Sequence, residues 1–276
     1  MFELNFKEFS KVRDYLYRKT GIYIDDKKQN AFVKKLQPYL DTNGYESFRS
    51  FFHTLRFGNN QSFIQDIINL ITVNETYFYR EEHQFESLVN VILPLIHKSK
   101  PKNEIIRILC APSSSGEEPY TIALNLLNEG KILQERDIEL VGIDIDSTII
   151  NKAKRGIYNK RSIQFIPSTL LKKYFKTDGI EYHIDSMIKN AVNFKVANVM
   201  DKMQMRQLGK FDIIFSRNML IYFDDESRRE VGVTFYDLLK SDGYIFLGHA
   251  DKMSKISSLF KMKRTGKSLV YQKYKA

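Results

Sequence analysis

The sequence predicts an α/β fold: a mostly parallel sheet covered by helices on both faces, with a small all-helical domain before it and a small antiparallel β insertion within it. Short apolar runs alternate with helical segments after about residue 100, which is typical of a buried parallel sheet. Apolar residues before residue 73 recur at helical spacing instead. The predicted boundaries are as follows: helical domain 1–73, interdomain linker 74–100, α/β domain 101–276, β insertion at about 159–196.

In the helical domain, Phe6, Phe9, Val12 and Leu16 share one helical face, and Gly21 ends that helix. Further amphipathic segments predict helices at about 28–40, 45–57 and 62–73. This part of the chain shows no strand-like run, so we expect a separate helical unit.

Four apolar runs in the second half predict the buried strands, at residues 105–110, 139–144, 211–215 and 244–247. Tyr182–Asp185 and Val192–Lys195 alternate in polarity, and we assign both to the antiparallel insertion. The segment Ser268–Tyr274 is also strand-like, and we expect it to pair antiparallel at the sheet edge.

The composition excludes several protein classes. The 276 residues include 43 Lys or Arg and 33 Asp or Glu, a net charge of +10. This charge indicates either an anionic partner, such as nucleic acid, an acidic protein surface or anionic lipid, or a solvated basic surface. The sequence contains no apolar run of about 18 residues and no signal-like start, so we expect no membrane span and no secretory signal. The single Cys110 cannot form an internal disulfide, which fits the reducing cytoplasm that we expect as the location. Five histidines and the single Cys110 argue against a structural zinc site, and we expect no metal.

Three loops are predicted at the carboxyl ends of strands, where ligands bind in open α/β sheets. The first loop, residues 111–120, is rich in small residues but lacks the repeated glycines of a pyrophosphate loop. It carries Glu117 and Glu118, which favour a cation such as an amine. Their alternative role is to stabilise a helix N-terminus.

The second loop begins at Asp144, a carboxylate that can accept hydrogen bonds from two ribose hydroxyls. A helix N-cap is the alternative role, and Asp146 is better placed for it. The third loop carries Arg217, Asn218 and Tyr222 directly after a buried strand. The alternative to a binding role is structural: Arg217 would form a salt bridge at the strand edge, and Tyr222 would pack in the core.

A fourth segment, N-E-T-Y-F-Y-R at residues 74–80, combines polar, aromatic and cationic side chains between the two domains. By itself it is also compatible with an ordinary linker packed through its aromatic rings.

Together these segments resemble the CheR-type chemotaxis receptor methyltransferases. N-E-T-Y-F-Y-R is similar to that family's N-E-T-x-F-F-R, and S-S-S-G-E-E-P-Y-T-I-A-L to its S-T-G-E-E-P-Y-S. The near matches also include G-I-D-I-D, R-N-M-L-I-Y-F and G-Y-I-F-L-G-H-A. The resemblance covers essentially the whole chain and implies a Rossmann-like S-adenosylmethionine-dependent methyltransferase domain. The implied activity is methyl transfer to glutamate side chains of chemoreceptors, giving glutamate methyl esters and S-adenosylhomocysteine.

Motif matching implies which residues form the site. Arg80 and Tyr222 are expected nearest the transferred methyl group. The residues expected to bind the cofactor are Asn74, Thr76, Arg80, Glu117, Asp144, Asn198, Val199, Ser216 and Arg217. The family usually has leucine at the position of Val199 and threonine at that of Ser115.

The resemblance also implies partners. Acidic cytoplasmic helices of chemoreceptors are expected to dock on the helical domain, near Lys27, Lys28, Lys34 and Lys35. A receptor C-terminal peptide could add a strand to the β insertion. Two alternatives stay open: a non-catalytic S-adenosylmethionine-binding sensor or scaffold, and a nucleic-acid methyltransferase. The latter is disfavoured because residues 217–220 lack the Asn/Asp-Pro-Pro-aromatic motif.

Overall fold

The computed structural model describes residues 4–58, 60–129, 131–251 and 260–273. Four helices form the N-terminal domain, as the periodicity predicts: α1 (Phe6–Thr20), α2 (Gln29–Thr42), α3 (Phe48–Phe57) and α4 (Gln61–Ile71). A reciprocal cap fixes the start of α1, because Asn5 accepts from the backbone N–H of Glu8 and the Glu8 carboxylate accepts from that of Asn5. Phe9, Leu16 and Phe51 are fully buried in this domain's own core.

A short helical run follows, comprising α5 (His83–Ser87), a π-helical turn (Leu88–Ile92) and α6 (Leu93–Ser99). The prediction of a linker over 74–100 is therefore wrong for residues 83–99. Phe85, Leu88 and Ile92 are buried in one of the two hydrophobic clusters that the sheet separates. Their apolar spacing is that of a core helix, so this segment belongs to the α/β domain.

The described residues form a seven-stranded mixed sheet in the order β6-β2-β1-β7-β8-β10-β9. Its strands are β1 (Ile106–Cys110), β2 (Ile138–Asp144), β6 (Val192–Val196), β7 (Phe211–Ser216), β8 (Leu239–Leu247), β9 (Phe260–Thr265) and β10 (Ser268–Lys273). Strands β6, β2, β1, β7 and β8 are parallel to one another, and β10 is antiparallel to β8 and β9. The predicted antiparallel pairing of the last strand, β10, is confirmed, but the edge of the sheet is formed by β9. Tyr274, the predicted end of β10, is not among the described residues.

The helices around the sheet are α7 (Glu117–Glu129), α8 (Lys131–Glu135), α9 (Ser147–Arg155), α10 (Lys160–Ile163), α11 (Ser168–Tyr174), α12 (Ser186–Asn190), α13 (Lys202–Arg206) and α14 (Asp225–Leu238).

A second sheet has the order β3-β5-β4, from β3 (Ile157–Tyr158), β4 (Phe175–Thr177) and β5 (Tyr182–Ile184). It confirms an antiparallel insertion, but the predicted range of 159–196 is wrong at its end. Val192–Lys195 pairs parallel with β2 and forms the other edge of the main sheet. The pattern was misleading because an edge strand that buries only Val192 and Phe194 has the same alternating polarity as a strand of a small surface sheet.

Candidate active site

A cavity of 330 Å³ lies at the carboxyl ends of the parallel strands. The chain runs outward from β1 through β2 to β6, and then crosses back to β7 on the other side of β1. The cavity therefore sits at the topological switch point of the sheet, between β1 and β7. Residues 112–114, 143–145, 197–199 and 217–219 form the wall on the sheet side. The predicted convergence of the strand-end loops is therefore observed.

Asp144 ends β2 and faces this cavity while it is almost fully buried. Its carboxylate accepts hydrogen bonds from the backbone N–H groups of Ser114 (2.9 Å) and Asp146 (3.0 Å). Burial raises the pKa of Asp144 to about 6, because removal from water disfavours the charged form.

The neighbouring Asp146 caps α9, accepting from the N–H groups of Thr148 and Ile149 at 2.9 and 3.0 Å. Asn74 donates to the other Asp146 oxygen at 2.7 Å and lines the cavity from the interdomain side. The two carboxylates of the G-I-D-I-D segment thus have separate roles. Asp146 is structural, and Asp144 is left facing the cavity.

A buried ion pair joins two of the cavity walls. Arg217 donates to Glu118 at 3.0 Å, and its guanidinium lies 3.6 Å from the carboxylate of Glu81. It also donates to the backbone carbonyl of Arg80 and lies over the ring of Phe85. Burial raises the pKa of Glu118, and the charge of Arg217 opposes that rise.

Glu117 does not line this cavity. Its carboxylate is buried behind the first loop, where it accepts from the hydroxyls of Ser115 (2.6 Å) and Ser162 (2.8 Å), and burial raises its pKa. Glu118, one position later on α7, lines the cavity instead. Sequence matching could not separate two adjacent glutamates, because only the helix phase decides which one faces the ligand.

Arg80 and Tyr222 both lie on the cavity wall. Arg80 donates to the carbonyl of Glu75 at 3.2 Å and lies over the ring of Tyr77. Tyr222 ends a 3₁₀ turn (Leu220–Tyr222) between β7 and α14. Burial raises its pKa, and the nearby charge of Arg80 acts in the opposite direction, so the phenol is protonated at neutral pH.

Of the other predicted cofactor residues, Thr76, Asn198 and Val199 line the cavity and Ser216 does not. The side chain of Asn198 donates to the carbonyl of Lys19 at 2.7 Å, a contact between the two domains. Ser216 is fully buried inside β7.

The helical domain contributes a wall that the sequence did not reveal. Thr20 and Ile22 line the cavity. Gly21 directs the chain towards the cavity, because it ends α1 in the left-handed conformation (φ 71°), which favours glycine. Its backbone also lies close to Met200, so that a Cβ atom at this position would be 2.9 Å from the Met200 sulfur. The chain thereby turns from the helix into the site.

Asp251 is a further residue of the site that the sequence motifs do not reveal. It is buried and accepts from the backbone N–H groups of Asn218 and Gly248, fixing the loop that leads to Tyr222. Its only sequence signal is its position directly after G-H-A.

Buried polar atoms on the wall lack partners within the described ranges: the hydroxyl of Ser113, one carboxylate oxygen of Glu118 and Nε of Arg217. A ligand that carries both donors and acceptors would satisfy them. S-adenosylmethionine fits, since its amine and sulfonium suit carboxylates, its carboxylate suits a guanidinium and its ribose diol suits Asp144.

Matches to two protein-family models show which family this chain belongs to. The model of the CheR methyltransferase S-adenosylmethionine-binding domain matches residues 74–268, and that of the CheR all-alpha domain matches residues 7–72. The chain belongs to the CheR methyltransferase family. S-adenosylmethionine is the cofactor of this family's binding domain, which confirms the predicted fold and cofactor.

Named relatives of this CheR chain agree. It is 44% identical over 268 residues to chemotaxis protein methyltransferase 2 of Vibrio cholerae, covering 96% of this chain and 92% of that protein. The chemotaxis protein methyltransferase of Borreliella burgdorferi is 32% identical, with 88% and 87% covered. That of Salmonella typhimurium is 30% identical, with 92% and 87% covered. In the part of this CheR chain that the structure describes, no helix is long and apolar enough to cross a membrane.

Proposed function

We propose that this CheR-family methyltransferase transfers the methyl group to glutamate carboxylates of chemoreceptors, giving glutamate methyl esters. The observation that carries the proposal is that Arg80 and Tyr222 both line the cofactor cavity, close enough for the charge of Arg80 to act on the phenol. A guanidinium and a protonated phenol that line the same cavity suit a carboxylate acceptor. The names of the relatives, which are chemotaxis methyltransferases, support chemoreceptors as the substrate.

When bound, S-adenosylmethionine supplies a methyl group on a sulfonium, which transfers by direct displacement. A glutamate side chain has a pKa of about 4.3 and is ionised at neutral pH, so no base has to remove a proton from it. Accordingly, the residues described on the cavity wall include no histidine or cysteine.

The residues of this chain therefore act by orientation, which can contribute about 7–11 kcal/mol in well-aligned systems. We assign Asp144, Asn74 and the Glu118–Arg217 pair to cofactor binding, with Glu118 in place of Glu117. Arg80 holds the incoming carboxylate loosely, because a tight ion pair would lower its nucleophilicity. Tyr222 donates a hydrogen bond that orients the reacting groups.

A labelled-methyl assay with a chemoreceptor cytoplasmic fragment tests the proposal. We expect label on the receptor that alkali releases as volatile methanol, because glutamate methyl esters hydrolyse in base and N-methyl groups do not. Alkali-stable label would contradict glutamate as the acceptor. Cofactor binding without transfer to any receptor would favour a non-catalytic sensor or scaffold. Label on nucleic acid would favour a nucleic-acid methyltransferase.

Single-turnover rates at saturating cofactor test the two assigned residues. We expect Arg80→Ala to slow methyl transfer about a hundredfold and Tyr222→Phe about tenfold, because both disturb alignment more than binding. Arg264→Ala is the matched control, since this arginine is exposed on the edge strand β9. Unchanged rates in both active-site variants would remove these side chains from the chemistry.

We also propose that receptor helices dock on the helical domain near Lys34 and Lys35, which are both exposed on α2. The β3-β5-β4 sheet keeps two free edges among the described strands, β3 and β4, to which a receptor C-terminal peptide could add a strand.

A further inference from the structure

Residues 248–251, with the sequence G-H-A-D, follow β8 at the cavity end of the sheet, but none of them lines the cavity. Asp251 is 7% exposed, and its carboxylate contacts the loop that follows the neighbouring strand β7. One of its oxygens accepts hydrogen bonds from the backbone N–H groups of Asn218 and, at 3.2 Å, of Gly248. Because Asn218 does line the cavity, this segment reaches the site through the loop after β7.

Asn218 has an unusual backbone conformation. Its φ is 56°, in the left-handed region that most side chains avoid and that asparagine tolerates better than most. A residue in this region needs support from its surroundings. The hydrogen bond from its N–H to Asp251 supplies that support, and it fixes the direction in which the chain leaves β7 towards Tyr222.

Gly248 provides the room for this hydrogen bond. A Cβ atom at Gly248 would be 2.8 Å from the backbone nitrogen of Asn218 and 2.9 Å from the bonding oxygen of Asp251. Real Cβ atoms essentially never lie so close to other heavy atoms. Any side chain at position 248 would therefore push the two bonded groups apart.

The same segment also contacts the part of the chain that carries Arg80. Glu81 follows Arg80 directly, and its carboxylate accepts from the backbone N–H of His249 at 3.2 Å. Residues 248–251 therefore bridge the two segments that carry Arg80 and Tyr222.

Other contacts hold the two ends of the loop after β7. Arg217, at its start, forms the ion pair with Glu118 and does not depend on Asp251. At the other end, the backbone N–H of Tyr23 donates to the carbonyl of Tyr222 at 2.9 Å. Asp251 supports the stretch between these two anchors.

The carboxylate of Asp251 is also close enough to Tyr222 to act on its phenol. Burial is the main cause that raises the pKa of Tyr222, and the negative charges of Glu75 and Asp251 raise it further. Asp251 therefore lies directly behind the part of the wall that presents the phenol.

We propose that Asp251 is a positioning residue for methyl transfer, which sets the place of the Tyr222 phenol through its hydrogen bond to Asn218. The inference rests on the proposed function, because Asp251 acts through a residue assigned to that reaction. Asp251 does not line the cavity, so it affects the alignment of the acceptor carboxylate and leaves cofactor binding to Asp144 and Arg217.

Single-turnover rates at saturating cofactor and receptor fragment test the assignment. We expect Asp251→Ala to slow methyl transfer about tenfold, the factor expected for Tyr222→Phe. The affinity for S-adenosylhomocysteine should change by less than about twofold. Asp251→Asn should slow transfer only about threefold, because an amide oxygen can still accept both N–H bonds.

Asp178→Ala is the matched control. One oxygen of Asp178 likewise accepts from two backbone N–H groups, those of Ile180 at 2.9 Å and Glu181 at 2.8 Å, in the turn between β4 and β5. We expect its transfer rate to equal that of the unaltered protein. An equal loss in Asp178→Ala and Asp251→Ala would contradict a specific role for Asp251.

A double-mutant cycle tests whether Asp251 acts through Tyr222. In the Tyr222→Phe background, Asp251→Ala should slow transfer by less than about twofold, because the hydroxyl that it positions is already gone. A lower fraction of folded protein would reduce the rate equally in both backgrounds. A further tenfold loss would therefore overturn the proposal.

Gly248→Ala is an independent variant, which keeps the carboxylate of Asp251 but separates it from Asn218. It tests the proposal even where Asp251→Ala does not fold. We expect the same loss of about tenfold and the same lack of additivity with Tyr222→Phe. An unchanged rate in Gly248→Ala would show that the hydrogen bond to Asn218 does not set the rate.

The outcomes separate the two proposals. If the unaltered protein esterifies receptor glutamates and Asp251→Ala does so at the same rate, only the positioning role is wrong. If the unaltered protein methylates no receptor glutamate, the proposed function fails and the positioning role fails with it.

Discussion

Arg217→Met is expected to lower the free energy of unfolding by about 3–5 kcal/mol at neutral pH, the usual cost of removing one partner from a buried ion pair. Glu118 would keep a buried carboxylate whose pKa is already raised by burial and would rise further without Arg217. A carboxyl group with a raised folded-state pKa destabilises the fold as the pH rises from its unfolded pKa towards its folded pKa. The deficit should therefore be larger at pH 8 than at pH 5, as denaturant titrations at both values can measure.

Two further variants make this result specific. Glu118→Gln combined with Arg217→Met should recover part of the lost stability, because no unpaired charge stays buried. Arg228→Met removes an arginine paired with Asp225 at 3.2 Å on the surface and should cost at most about 1 kcal/mol. Equal losses for Arg217→Met and Arg228→Met would show that leaving Glu118 buried without its partner carries no extra cost.

Binding of S-adenosylhomocysteine is expected to weaken about tenfold between pH 7 and pH 5. Asp144, with its pKa of about 6, accepts hydrogen bonds best when ionised, and one pH unit below the pKa leaves about a tenth of it in that form. Asp144→Asn should bind roughly ten- to a hundredfold more weakly at pH 7, the range for a lost hydrogen bond to a charged group. Its affinity should no longer respond to pH over this interval. Isothermal titration calorimetry measures both effects.

Glu118 is the control for this assignment, because its pKa is also raised and it lines the same cavity. If Asp144 is responsible, Glu118→Gln should retain the loss of affinity between pH 7 and pH 5. Flat binding by the unaltered protein would show that no group with a pKa near 6 contacts the ligand.

The sequence predicted the architecture well where one physical signal dominated. Buried parallel strands are continuous apolar runs, so β1, β2 and β7 were placed within one or two residues. The edge strand β6 was misassigned because its two faces differ in exposure. Phe260–Thr265 was not recognised as a strand, because four of its six side chains are exposed and no alternation marks it.

The site was predictable to the level of motifs and not to the level of single atoms. Asp144, Arg80 and Tyr222 follow from their positions after strands or in the N-E-T segment. Which of Glu117 and Glu118 lines the cavity depends on the rotation of α7, which the loop before it sets. Thr20 and Ile22 reach the cavity through contacts across more than a hundred positions of sequence, and no local pattern encodes such contacts.

The hydrogen bonds between the two domains affect the design of chimeras in which one domain comes from a relative. The two family models divide the chain near residue 73, yet Tyr17 bonds to Asp224 and Tyr23 to Tyr222 across that division. A chimera that took its first seventy residues from another species would replace one side of these bonds and part of the cofactor wall. Chimeras should remain functional only when the contacting residues of both domains come from the same relative.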